Sequence, residues 1–131
     1  MNTPVSFELA KLLKEKGFKS ESKAFYDGSG ELLHYNHSNN EMQRFRYEAP
    51  TISEVVMWLY EKHGIWISVS PVFEFNDGRK DYLTLQGYQY YITVITDNKY
   101  NQEKTHADRG YKNTPTEAYE AGIEYTLKNL L

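Results

Sequence analysis

The sequence predicts an α+β domain in which three helices pack on one antiparallel four-stranded sheet, in the order α-β-β-α-β-β-α across residues 1–131. Three observations predict it. Thr-x-x-Glu boxes at Thr51 and Thr114 each stand immediately before a helical apolar period. Residues 65–75 alternate apolar and polar with the period of a strand. Asp-Gly pairs at 27–28 and 77–78 separate short apolar runs, as hairpin turns do.

The first helix opens at Thr3-Pro4, a capping hydroxyl followed by the residue best suited to a first helical position. Val5, Leu9, Leu12 and Leu13 fall on one face. Gly17 then supplies the left-handed stop, with Phe18 placed to touch Leu13 as in a Schellman motif. A hairpin around Asp27-Gly28-Ser29-Gly30 follows, then a polar loop over residues 36–41. Residues 42–49 suit an edge strand or extended linker, because Pro50 biases its predecessor away from helix.

In the second helix, Ile52, Val55, Val56 and Leu59 make the apolar face, widened by Met57, Trp58 and Tyr60, and Gly64 ends it. The strand after it places Ile65, Ile67, Val69, Pro71, Phe73 and Phe75 on one parity; Pro71 marks it as an edge strand or an interrupted one. The return strand lies within residues 82–96. Tyr88, Tyr90, Ile92 and Val94 share a parity, while Leu83 and Leu85 lie on the other, which predicts a bulge near Gly87. A tight turn at 77–78 sets Ile67 opposite Tyr88 and Ile65 opposite Tyr90; a longer excursion over 76–87 is the alternative. Residues 97–113 read as a long polar loop with at most a little strand. The last helix starts at Thr114-Pro115 and presents Tyr119, Ile123, Thr126, Leu127 and Leu130, with a small-residue patch at Ala118, Ala121 and Gly122.

Composition narrows the chemistry. The chain has no cysteine, which excludes disulfides, thiolate catalysis and Cys-ligated metal. Fifteen Lys and Arg against 18 Asp and Glu give a formal charge of −3, without the basic excess of a duplex-binding domain. The N-terminal residues lack the pattern of a signal peptide, and no run approaches the length of a membrane span. The expectation is a cytoplasmic protein with no membrane association and no cofactor. Twelve tyrosines suit amphipathic strands or an interface.

No catalytic motif is present: there is no G-x-S-x-G elbow and no Gly-rich phosphate cradle. His34, His37 and Glu41 are a weak candidate metal set, convergent only if the chain turns between the histidines. Tyr88, Tyr90, Tyr91, Arg109 and Tyr111 form a candidate binding surface. A strand of tyrosines with nearby cations also suits single-strand stacking, although the parity Tyr88 and Tyr90 share with Ile92 predicts burial.

Residues 49–71 and 114–131 carry an Ala-Pro-Thr helix start, a Trp-Leu helix, an Ile- and Val-rich strand and a Glu-Ala final helix. This pattern resembles small uncharacterised proteins of gut Bacteroidetes and their phages or mobile elements. The resemblance implies an accessory protein and carries no assigned activity. The expected function is a non-enzymatic binding or interaction protein, with a protein partner or self-association. A single-stranded nucleic-acid module is the first alternative and a small metal-dependent enzyme the second.

Overall fold

In the computed structural model, residues 2–19, 23–34, 46–75, 83–96, 99–100, 106–107 and 110–131 are described. Helix α1 (Phe7–Glu15) begins later than Thr3-Pro4 suggests. Its cap is Ser6, whose hydroxyl accepts from the Leu9 amide at 3.3 Å. Thr3 and Pro4 are used differently. Pro4 bridges antiparallel to Thr51; the Val5 amide donates to the Pro50 carbonyl at 2.9 Å and the Ile52 amide to the Thr3 carbonyl at 3.1 Å. Both bonds are made by the neighbours of Pro4, which occupies the non-hydrogen-bonded position of the bridge, so its missing N–H costs nothing there. The Glu120 carboxylate from the far end of the sequence accepts from the Ser6 amide at 2.8 Å, placing an acid at the N-terminus of α1.

The other end of α1 follows the sequence reading. Gly17 has φ +89°, the Phe18 amide donates to the Leu13 carbonyl at 2.9 Å and the Gly17 amide to the Lys14 carbonyl at 3.3 Å. These are the two bonds of a Schellman motif, and Phe18 is buried beside them.

Helix α2 (Ile52–His63) has both arms of its capping box: the Glu54 amide donates to the Thr51 hydroxyl and the Thr51 amide to the Glu54 carboxylate, each at 3.3 Å. Helix α3 (Pro115–Asn129) has the first arm only. There the Glu117 carboxylate reaches one residue further back and accepts from the Asn113 amide at 3.2 Å.

The predicted single four-stranded sheet is not formed; the strands divide between two antiparallel sheets. In the first, β1 (Ala24–Tyr26) lies between β2 (Leu32–His34) and β3 (Tyr47–Glu48). The second is built on the long hairpin of β4 (Ile65–Phe75) and β5 (Leu83–Thr96). In each hairpin the inner strand takes short partners on its second edge. Strand β3 takes the second edge of β1. On β5 that edge is taken by β6 (Lys99–Tyr100), by β7 (His106–Ala107) and by a bridge from Tyr88 to Lys112. The fold is α+β with three helices, as the sequence predicts, on two sheets rather than one.

The β4–β5 register also differs from the tight-turn expectation. Ile67 faces Ile92 and Ile65 faces Val94, a slip of four residues from the Tyr88 and Tyr90 pairings. An even slip leaves every side chain on its original face, so Ile65, Ile67, Tyr90 and Ile92 still point into the core. Pro71 lies on β4, which pairs with β5 alone among the described residues.

One cluster of buried side chains draws on all three helices and on β4 and β5: Leu9 and Leu13 from α1, Val55 and Leu59 from α2, Ile123 and Leu127 from α3, Ile67 and Ile92 from the hairpin. The first sheet joins this core through α1. Phe7 packs its ring on Tyr26 and Tyr47 at centroid distances of 5.4 and 5.6 Å, and the Tyr26 hydroxyl donates to the Val5 carbonyl at 2.6 Å. Burial, with Glu120 adding to it, raises the Tyr26 phenol above its ordinary pKa. Helix α3 approaches β4 and β5 closely at Gly122, where an added Cβ would stand 3.1 Å from Tyr90 and 3.2 Å from Ile67. Thr126, fully buried, keeps its hydroxyl satisfied by donating to the Gly122 carbonyl at 2.8 Å.

Candidate binding surface

The β4–β5 hairpin has an inner and an outer half. Opposite positions run in step from Ile65↔Val94 to Val72↔Gly87; the next pair is Phe73↔Leu85, so Gln86 is an extra residue on β5. This is the irregularity that the parity break between Leu85 and Tyr88 signals in the sequence. Its effect is directional. An unbroken ladder would place Leu83 and Leu85 on the face away from Tyr88 and Tyr90. With Gln86 bulged out, they turn to the same face and stand opposite Phe75 and Phe73.

Gly87 makes the bulge possible. Its φ is +154°, and a Cβ there would lie 2.8 Å from both the Lys112 carbonyl oxygen and Cβ of Tyr111. The segment that presses on it is held by two bonds, Tyr88 amide to Lys112 carbonyl and Lys112 amide to Tyr88 carbonyl, each 2.9 Å. This seats Tyr111 against the bulge.

Helix α3 covers the inner half of that face, and Tyr90 and Ile92 are buried there. On the outer half, Phe73 is 51 %, Leu83 54 % and Leu85 46 % exposed, and Tyr111 beside the bulge is 47 % exposed. A surface leucine taken singly needs no explanation. Four large apolar side chains gathered around one bulge form a patch of the kind that marks contact surfaces.

The residues proposed from sequence separate under this geometry. Tyr111 belongs to the patch, and Tyr88 is half-buried next to it. Tyr90 is 5 % exposed and packs against α3, within the core. Tyr91 is half-buried on the opposite face, its hydroxyl donating to Gln89 at 3.0 Å. Arg109 lies outside the described residues. His34 is exposed at the end of β2; His37 and Glu41 also lie outside the described residues. Among the described residues no group of three or more His, Asp or Glu side chains is placed to hold a metal ion. No helix among them is long and apolar enough to cross a membrane. Phe73, Leu83 and Leu85 escape a search for polar chemistry; the only signal of the two leucines is the parity break.

A groove between α1 and α3 is acidic. Glu8, Glu117, Glu120 and Glu124 line a space of about 350 Å³, with Lys128 at its margin. Two of the four carboxylates are engaged in capping, Glu120 at Ser6 and Glu117 at Asn113. A third, Glu124, pairs with Lys128 at 2.6 Å. These links account for the groove as structural.

No protein-family model, curated protein or solved structure matches the chain.

Proposed function

We propose that this chain is a non-enzymatic binding protein whose contact surface is the outer half of the β4–β5 hairpin, with a second copy of itself as the partner. The observation that carries the reading is the set of half-exposed Phe73, Leu83, Leu85 and Tyr111 brought to one face by the bulge. Side chains of this size, half exposed, offer on the order of 100 Å² each. Two copies apposed through four of them would bury about 800 Å², below the roughly 1,200 Å² of a stable complex. The pairing is therefore weak and concentration-dependent. Strand β4 pairs only with β5 among the described residues, so its outer edge is available to enlarge the contact. The resemblance to small proteins of phages and mobile elements supports an accessory role.

The single-strand reading through the β5 tyrosines draws less support, since Tyr90 belongs to the core. Sedimentation velocity over a hundred-fold range of concentration tests the proposal. A reversible dimer that disappears in L83D/L85D supports it. A strict monomer at every concentration, or a dimer indifferent to the double substitution, overturns it.

A further inference from the structure

A second surface lies at the end of the molecule where α1 and α2 both finish. Lys14, Lys19 and Arg46 line a cavity of about 280 Å³, together with Glu48. Lys16, Lys19, Lys62 and His63 line an adjoining one of about 500 Å³, walled by Trp58. Lys19 belongs to both. Five of the chain's 15 Lys and Arg thus line two neighbouring cavities that share Lys19, with Glu48 the one carboxylate among their described lining residues, in a protein whose formal charge is −3.

Cations in the last turn of a helix complement its dipole, and that explains Lys14 and Lys62 with His63 beside it. It does not explain Lys19, beyond the Gly17 stop, or Arg46, which enters from the strand side. Arg46 is fixed in place: its guanidinium lies 5.7 Å from the Phe25 ring centroid and 3.8 Å from the Glu48 carboxylate, and its carbonyl accepts from Lys14 Nζ at 3.2 Å. Trp58 is held on edge between Phe18 and His63, at centroid distances of 5.3 and 4.8 Å. Among the described residues no carboxylate lies within ion-pair distance of Lys16, Lys19 or Lys62. Convergent, partly positioned cations next to an aromatic wall are what a ligand with successive phosphates requires.

We infer that this double cavity binds a ligand carrying at least two linked phosphate groups, one held by Lys14, Lys19 and Arg46 and the next by Lys16, Lys19 and Lys62. The site is separate from the hairpin patch, and its test does not depend on self-association. The same chemistry is offered by a free diphosphate compound and by the backbone of a single-stranded nucleic acid, so both are used as probes.

Calorimetric titrations at low salt with inorganic pyrophosphate and with an eight-residue oligothymidylate, on the whole chain, decide it. Saturable binding of either probe is expected, weakened tenfold or more in K19Q/K62Q, both exposed positions. It is expected to be unchanged in K11Q/K128Q, where the lysines pair with Glu8 and Glu124 elsewhere on the surface. An oligonucleotide at least tenfold tighter than pyrophosphate identifies a nucleic-acid strand as the source; comparable or weaker binding identifies a small diphosphate. Shifts of the Trp58 indole and His63 ring signals on titration mark the location independently. No binding of either probe overturns the inference, as does equal weakening in the two double variants, which would indicate a diffuse charge effect.

Discussion

The inner and outer halves of the β4–β5 hairpin are made of the same two strands, and the same face of each is apolar, yet their fates differ. Ile67 and Ile92 are sealed under α3, while Phe73, Leu83 and Leu85 stand half in water. The sequence around each half is similarly rich in large apolar residues. What differs is cover: Gly122 lets α3 sit close over Ile67 and Tyr90, and the bulge at Gln86 carries the ladder past that helix. Hydrophobic patterning specifies a face, and the neighbouring element decides whether that face becomes core or contact surface.

The largest test of this contrast is a pair of truncations. Ile92→Ala is expected to destabilise by about 2–5 kcal/mol, the range for emptying a packed site. Leu85→Ala is expected to cost about 1 kcal/mol or less, because half of its transfer free energy is never gained. Urea unfolding of both variants at one protein concentration checks the gap; equal effects would erase the distinction between the halves.

Gly87→Ala probes the joint between them. The positive φ and the 2.8 Å approach to Lys112 and Tyr111 predict a loss of about 1–3 kcal/mol. Backbone chemical shifts at Tyr88 and Lys112 should move most. Gly122→Ala probes the cover. Alanine gains about 1 kcal/mol in helix propensity, but its methyl meets Tyr90 and Ile67 at 3.1–3.2 Å, and overpacking costs about 1–3 kcal/mol. A net destabilisation of about 1 kcal/mol is expected by thermal melting; a gain would show that α3 sits more loosely than its contacts suggest.

The smallest effect serves as a control from the other sheet, where a turn is held by polar bonds rather than by cover. Asp27 accepts from the Ser29 hydroxyl at 2.7 Å and from the Ser29 and Glu31 amides at 2.9 and 3.0 Å. These bonds, the Ser29 hydroxyl foremost, lower its pKa. A carboxyl with a depressed folded pKa contributes its full stabilisation above the ordinary aspartate range and loses it as pH falls through the depressed value. A carboxyl-carbon titration should place the Asp27 midpoint below the ordinary value, and Ser29→Ala should bring it back toward that value.

Much of the helical framework was legible because its signals are local. Gly17 and Phe18 close α1, and Thr51 and Glu54 open α2, with bonds that span no more than five residues. The start of α1 was not legible in that way. Thr3 and Ser6 both satisfy the capping rule, and a distant pairing with residues 50–52 decides between them. The division into two sheets was hidden for a similar reason: Tyr47–Glu48 and His106–Ala107 are too short to show a period, yet each fills the second edge of a hairpin's inner strand. The core residues survived the four-residue slip in register because parity, not register, assigns faces. Of the candidate surface, Tyr111 came from composition, while the leucines beside it were marked only by a broken parity.

The bond from the Ser6 amide to Glu120 spans 114 positions of sequence. During synthesis at roughly 5–20 residues per second, the acid at the entrance to α1 emerges about 6–23 seconds after the serine it serves. Through that interval α1 has its local Ser6 cap but not the distant acid at its entrance. The segment before α1 is thus reached by its two distant partners in separate stages: the clasp between residues 3–5 and 50–52 becomes available well before Glu120 does.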